Sequence, residues 1–595
     1  MTLAGLHRHY RSGDFSPREL LEALLCECEP DRGTVWITLL DSEQLQPYLE
    51  RLEGLGPDDL PLYGIPFAIK DNIDLAGVPT TAACPAFEYV PAESAYVVSQ
   101  LIDAGAIPLG KTNMDQFATG LVGTRSPPPW GPCPNALNAD YISGGSSSGS
   151  AVAVSKAQVC FSLGTDTAGS GRVPAAFNNI VGLKPSRGVL STRGVVPACR
   201  SLDVVSIFAL TARDANRIFD CAASEDRKDP YARANPFHNG PRYFAPTRKP
   251  LKIGVLAPEQ RNFFDDSNAR DCFNDALEQI KGAGHELIEV DLSPCLEAAH
   301  LLYEGPWLAE RYLAVRQLIE HSPQDLHPVI LKVIGDGDRQ RATDTFQAMY
   351  TLNALCQRAS DVLDTVDMVV TPTVATCYRT QAVLDDPLTL NANLGVYTNF
   401  MNLMDYSAVA LPTGFFPSGV GFGITLFHRA FSDKRLLGAA AALQDVFALR
   451  LGATAQQVPV DQPSESRAAS THIDVVVCGA HLSGQPLNWQ LLERGAHLVQ
   501  RTTSTPGYRL YALADGKRPA LVRDTNTGRE IAVEVWSVPS EAFGSFVAEI
   551  PAPLGIGKVE LADGRWCTGF ICENYGLEGA RDISSFGGWL AYLTA

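Results

Sequence analysis

Tyr141–Gly188 reads YISGGSSSGSAVAVSKAQVCFSLGTDTAGSGRVPAAFNNIVGLKPSRG, and the interpretation of the whole chain turns on it. Glycine is dense here, and Ser and Thr crowd around the short apolar segments. A core helix or strand is not built this way: Gly costs backbone entropy, and Ser and Thr hydroxyls compete for backbone hydrogen bonds. Such composition suits loops whose backbone N–H groups face a reacting atom and whose small hydroxyls lie close together. The stretch holds no His, so a serine nucleophile within it needs a base other than imidazole.

Upstream, Leu62–Asn72 is LYGIPFAIKDN, a short apolar run ending in Lys70. A lysine closing a buried strand is partly desolvated, which lowers its pKa and makes it a candidate base. The alternative is a lysine whose tip reaches solvent. Gly105–Thr112, GAIPLGKT, matches the P-loop pattern. A P-loop follows a strand, whereas a helix is predicted before this segment and its apolar residues form the strand itself, so nucleotide binding is rejected. Gly145–Gly149, GSSSG, matches the G-x-S-x-G nucleophile elbow. That site requires an acid and then a His downstream. His428 is the last candidate before residue 452 and carries no signature around it.

Ser16-Pro-Arg-Glu19 is a capping box with Pro at the first helical position, predicting a helix to about Cys28. Further helices are predicted at Ser94–Gly105, from Asn113, and over Asp214–Ala223, Ser267–Gly282, Cys295–Glu320, Thr343–Leu363 and Asp433–Arg450. Strands are predicted at Ala106–Gly110, Leu251–Ala257, His285–Val290, Asp367–Thr373, Ser407–Pro412 and Val420–Phe427. This alternation implies an α/β fold with a mixed central sheet covered by helices on both faces. A polar linker at 453–471 separates residues 1–452 from a smaller domain, 472–595, rich in short strands and Gly turns.

With 595 residues, more than one core is expected. The net charge of −18 argues against a nucleic-acid surface and against an anionic membrane face. It does not exclude a small anionic substrate, which one buried Arg can select. The amino terminus lacks an apolar signal region and no apolar run is long enough to span a membrane, so no membrane association is expected. Fourteen Cys without CxxC pairing suggest reduced thiols in a cytoplasmic protein. Neither HExxH nor paired CxxC spacing is present, and no metal or other cofactor is expected.

Three motifs together resemble the amidase signature family: GIPFAIKDN around Lys70, GGSSSGS from Gly144, and GTDTAGSGRVP from Gly164. Ser146 and Ser170 stand 24 positions apart, the interval between the two serines of that family. The resemblance covers roughly residues 15–450 and implies a Ser–cisSer–Lys triad. Ser170 would be the nucleophile and form an acyl-enzyme, Ser146 would relay its proton across a cis-peptide serine, and neutral Lys70 would be the terminal base. The N–H groups of Thr167, Ala168, Gly169 and Ser170 would form the oxyanion hole. Asp166 and Arg172 are expected to pair and hold the loop. Ser143, Ser147, Ser148 and Ser150 are expected to be loop hydroxyls.

Within the family, DQFATGLVGTRSP from Asp115, including Gly123, and YEGPWLAER from Tyr303 to Arg311 resemble allophanate hydrolases. In those enzymes residues at these places hold the substrate carboxylate. On one helix the spacing of Tyr303 and Arg311 would put both on one face. VVCGAHLSGQPLN around His481 resembles the carboxy-terminal domain of the same enzymes, an α+β barrel-like domain similar to γ-glutamyl-cyclotransferases. It has been linked to decarboxylation, with His481 as acid–base or anion-binding candidate. The resemblance implies hydrolysis of allophanate to ammonia and carbon dioxide in urea degradation, in a homodimer, with possible association with urea carboxylase. The alternatives are another small-amide amidase and a protein like the amidase-type subunit of glutaminyl-tRNA amidotransferase.

Overall fold

A computed structural model describes residues 1–234, 239, 244, 250–457 and 472–595. Two compact units result. The larger holds the described residues up to 234 and from 244 to 457; the smaller holds residues 472–595. The expected linker lies outside the described residues from 458 onward.

The larger unit is built on eleven strands: β1 (Trp36–Leu39), β2 (Pro66–Lys70), β3 (Ile107–Thr112), β4 (Phe161–Asp166), β5 (Val181–Lys184), β6 (Val204–Ala209), β7 (Lys252–Leu256), β8 (Glu286–Val290), β9 (Met368–Pro372), β10 (Tyr406–Phe415) and β11 (Gly421–Arg429). They form one sheet in the order β1-β3-β2-β4-β6-β5-β10-β11-β9-β7-β8. The sheet is mixed. β2 runs parallel to both β3 and β4, and β7 parallel to β8 and β9, while β10 pairs antiparallel with β5 and β11. Every residue of β2, β3, β4, β6 and β9 is buried. Strands buried on both faces read as continuous apolar runs, which is how β2, β3 and β9 were visible in the sequence; β4 and β6 were not foreseen. The helices Ser148–Ser155 and Asp433–Phe447, among others, pack on this sheet. No helix among the described residues is long and apolar enough to cross a membrane.

The capping box forms as expected. Glu19 accepts from the Ser16 N–H at 2.7 Å, Ser16 Oγ accepts from the Glu19 N–H at 3.3 Å, and the helix runs Pro17–Cys28. The P-loop-like segment is strand β3, and its Lys111 pairs with Asp71 at 3.2 Å, both fully buried. Two expectations are corrected. The helix expected from Asn113 is only a short turn at Gln116–Ala118, because Phe117 and Ala118 take left-handed φ of 50° and 52°. The single helix expected over Cys295–Glu320 is two helices, Ser293–Glu304 and Trp307–His321. Gly305 between them is extended, at φ −107° and ψ −172°. The ring of Pro306 drives the preceding residue out of the helical region and removes an N–H from the ladder.

The smaller unit has eight strands: β12 (His472–Val477), β13 (His497–Thr503), β14 (Tyr508–Ala512), β15 (Pro519–Arg523), β16 (Ala532–Pro539), β17 (Leu554–Glu560), β18 (Trp566–Cys572) and β19 (Arg581–Asp582). They pair as a five-stranded sheet, β13-β16-β12-β18-β17, and a three-stranded sheet, β15-β14-β19, in place of a single closed ring. Val475, Val477, Leu510, Val535 and Phe546 centre its own apolar core.

Candidate active site

The parallel strands β2 and β4 lie side by side and end at one edge, the carboxyl end where open α/β sheets hold ligands. Lys70 closes β2 and is fully buried. Its Nζ donates to Ser146 Oγ at 2.7 Å and to Thr165 Oγ1 at 2.7 Å. Burial lowers its pKa to about 7; Asp115, Asp203 and Asp166 oppose that shift. The alternative of a solvated lysine tip is therefore gone. Thr165, the second partner of Lys70, lies near the end of β4 and had no marker in the sequence.

Ser146 follows a cis peptide bond from Gly145. A Cβ on Gly145 would stand 2.1 Å from Asp115 Oδ2 and 2.6 Å from Gly123 N, so this approach demands glycine. The neighbouring hydroxyls bind backbone carbonyls: Ser143 that of Cys133, Ser147 that of Thr165, Ser148 that of Asn113 and Ser150 that of Leu163. Ser143 and Ser147 are loop hydroxyls as expected from the sequence, whereas Ser148 and Ser150 belong to the helix Ser148–Ser155. Ser146 is instead met by an amine.

Residues 166–172 form a tight loop around one carboxylate. Asp166 accepts at 2.9 Å from each of Gly169 N, Gly171 N, Arg172 Nε and Arg172 Nη2. Burial pushes its pKa up, but the Arg172 guanidinium and the backbone donors outweigh burial and hold it below the usual carboxylate range. The expected Asp166–Arg172 pair is thus present and fully buried. The same geometry corrects one assignment. The Gly169 N–H, expected in the oxyanion hole, points at Asp166. The N–H groups of Thr167, Ala168 and Ser170 meet no backbone acceptor among the described residues. Ser170 is buried, and its Oγ contacts only the Gly120 carbonyl, at 3.4 Å. No hydrogen bond joins Ser146 to Ser170 among the described residues.

Tyr303 and Arg311 sit on the two different helices, so the one-face argument from spacing fails. They meet across the break: the guanidinium carbon of Arg311 lies 5.2 Å from the centroid of the Tyr303 ring. Arg311 is 2% exposed, and its Nε and Nη1 have no partner among the described residues. A buried guanidinium with unmet donors is costly unless a further partner meets them. A second guanidinium, Arg125, was missed in the sequence. It is equally buried and donates to the carbonyls of Thr119 at 3.0 Å and Pro387 at 2.7 Å. Gly123, expected against the substrate, has its N–H on Asp115 Oδ2 at 3.1 Å, and at φ +75° a Cβ would stand 2.5 Å from Ser143 Oγ. Its place in the structure is the close packing of this loop.

In the smaller unit, His481 stacks on Phe570 with centroids 5.0 Å apart and meets the edge of Phe546. Its Nε2 lies 2.8 Å from Gln490 Oε1. Burial lowers its pKa, leaving a neutral imidazole at neutral pH.

A buried Lys–Ser pair thus lies beside a loop whose N–H donors are unmet among the described residues. Residues 24–437 match the Amidase family model, and the chain belongs to that family. Residues 473–594 match the allophanate hydrolase C-terminal domain, so both expected modules are present. The chain is 41% identical over 606 residues to urea amidolyase of Saccharomyces cerevisiae, covering 98% of this chain and 32% of that protein. It thus spans about a third of the length of the curated urea amidolyases it matches. The allophanate hydrolase of Kluyveromyces lactis superposes with a TM-score of 0.74 at 40% identity, covering 100% of this chain and 99% of that one. More distant is the glutamyl-tRNA(Gln) amidotransferase of Synechococcus, one polypeptide of which is 30% identical over 73% of this chain and 95% of its own length.

Proposed function

We propose that this chain hydrolyses allophanate to ammonia and carbon dioxide. Allophanate is urea bearing a carboxylate. Ser170 attacks its terminal amide carbonyl while its proton passes through Ser146 to neutral Lys70, and the N–H groups of Thr167 and Ala168 receive the oxyanion. Ammonia leaves with a proton returned along the same relay. Water then releases N-carboxycarbamate, which loses carbon dioxide to give carbamate, and carbamate decays to ammonia and carbon dioxide.

The observation that carries this reading is Arg311, buried with unmet donors against Tyr303. A guanidinium offers parallel donors to a carboxylate, and holding that end fixes the amide at the nucleophile. Arg311→Ala is expected to lower kcat/KM for allophanate roughly 10²-fold, chiefly through KM, and to affect biuret far less. Biuret carries a neutral amide in place of the carboxylate. Steady-state ammonia release from both substrates checks this, and equal losses on the two would remove the clamp.

His481 in the smaller unit is assigned to the decarboxylation of N-carboxycarbamate. His481→Ala should slow carbon dioxide release relative to ammonia release. Superimposable time courses of the two gases in variant and wild type would leave that unit without a chemical part. A reaction that carboxylates urea must supply the substrate, so a urea carboxylase is the assigned functional partner. A homodimer in the cytoplasm is the assigned setting.

A further inference from the structure

Beyond the clamp and the triad lies a hydrogen-bonded turn, residues 198–203, that touches both. On one side Asp203 accepts from the Thr167 hydroxyl at 2.5 Å, and from the N–H groups of Ala198 at 2.9 Å and Cys199 at 3.1 Å. Thr167 belongs to the loop that carries Ser170. On the other side Glu310 accepts from Ser201 N at 2.7 Å, Ser201 Oγ at 2.6 Å and Cys199 Sγ at 3.0 Å. Glu310 precedes Arg311 in the first turn of the helix Trp307–His321.

Two features set Glu310 apart. Its carboxylate is taken up by the turn: among the described residues Arg311 forms no ion pair and two of its donors are unmet, although the Glu310 charge still acts on the guanidinium. A carboxylate this near would ordinarily neutralise the guanidinium and close it to an anion. Asp203, moreover, binds Thr167 of the loop that carries Ser170, so the one turn bridges that loop and the helix of Arg311.

We propose that Glu310 is a positioning residue. By gripping the turn that Asp203 also grips, it keeps Arg311 open for the substrate carboxylate and ties that guanidinium to the oxyanion loop through Thr167. This rests on the proposed function. A substrate with an anion beside its scissile amide profits from the tie, and a neutral amide does not. Glu310 touches neither substrate nor reacting atoms, so its effect appears in selectivity.

The test compares kcat and KM of the full chain for allophanate and for biuret in wild type, Glu310→Gln and Ser201→Ala. Glu310→Gln keeps the shape but weakens three charge-assisted bonds. It is expected to reduce the ratio of kcat/KM for allophanate over biuret about tenfold, with kcat as well as KM affected. Ser201→Ala removes one donor from the far side and should shift the ratio in the same direction, about threefold. Glu310→Asp, which restores the charge, should recover part of the loss. Parallel losses on both substrates, or an unchanged ratio in both variants, overturn the proposal. The underlying reading fails separately, and visibly, if the wild type itself shows no preference for allophanate.

Discussion

Ser170→Ala is expected to lower ammonia release from allophanate by at least about 10⁴-fold, leaving a residue of catalysis from binding and the oxyanion donors alone. Exclusion supports this as much as geometry does. Ser143, Ser147, Ser148 and Ser150 are committed to backbone carbonyls, and Ser146 is bound by the Lys70 amine. Ser170 alone among these serines sits on the loop whose Thr167 and Ala168 N–H groups meet no acceptor among the described residues, where its hydroxyl has one long contact, at 3.4 Å. Catalytic hydrogen bonds are often long before substrate arrives and tighten in the complex. The measurement is single-turnover ammonia release, with mass spectrometry to capture an acyl adduct on the tryptic peptide containing residue 170. Full turnover by Ser170→Ala, or an adduct on Ser146, would reassign the nucleophile.

Lys70→Met is the second large effect, expected at about 10³-fold in kcat with little change in KM. Met keeps length and apolar packing but leaves the relay without a proton acceptor. The wild-type pH profile gives an independent reading of the same residue. In the proposed relay the neutral amine is the working form, and burial lowers its pKa to about 7. Activity should therefore rise with pH through about 7 and level off above it; below, the ammonium holds its proton and acylation stalls. Of the carboxylates that face it, burial holds Asp203 up at about 6, while Asp166 stays ionised under the Arg172 guanidinium. A wild-type kcat that stays level from acid to alkaline pH would contradict Lys70 as base.

The candidate site residues were legible because they lie in local signatures. Glycines at 144, 145 and 169 are needed where backbones approach closely; at Gly169 a Cβ would stand 2.4 Å from Thr398 Oγ1. Lys70 was legible because a buried parallel strand is a continuous apolar run, and a cation at its end stands out. What escaped was non-local. Thr165 reaches Lys70 across 95 positions, Arg125 reaches Pro387 across 262, and Glu310 reaches Ser201 across 109. Nothing in a one-dimensional pattern pairs such residues. The break at Gly305-Pro306 is a different kind of miss, since both residues were in view and a proline after a glycine ends helices. The first helix, Leu3–Ser12, with Thr2 capping its start and Gly13 left-handed at its end, likewise had its signals in the sequence.

Lys70, Ser146 and Ser170 fall within residues 66–172, while Tyr303 and Arg311 belong to the helical excursion inserted between β8 and β9, so the proposed cutting edge and the proposed address label lie on separate stretches of chain. Because Glu310 and Ser201 join the two, a protein engineer rewriting the label for a different small acid would have to keep that tie if the blade is to stay sharp.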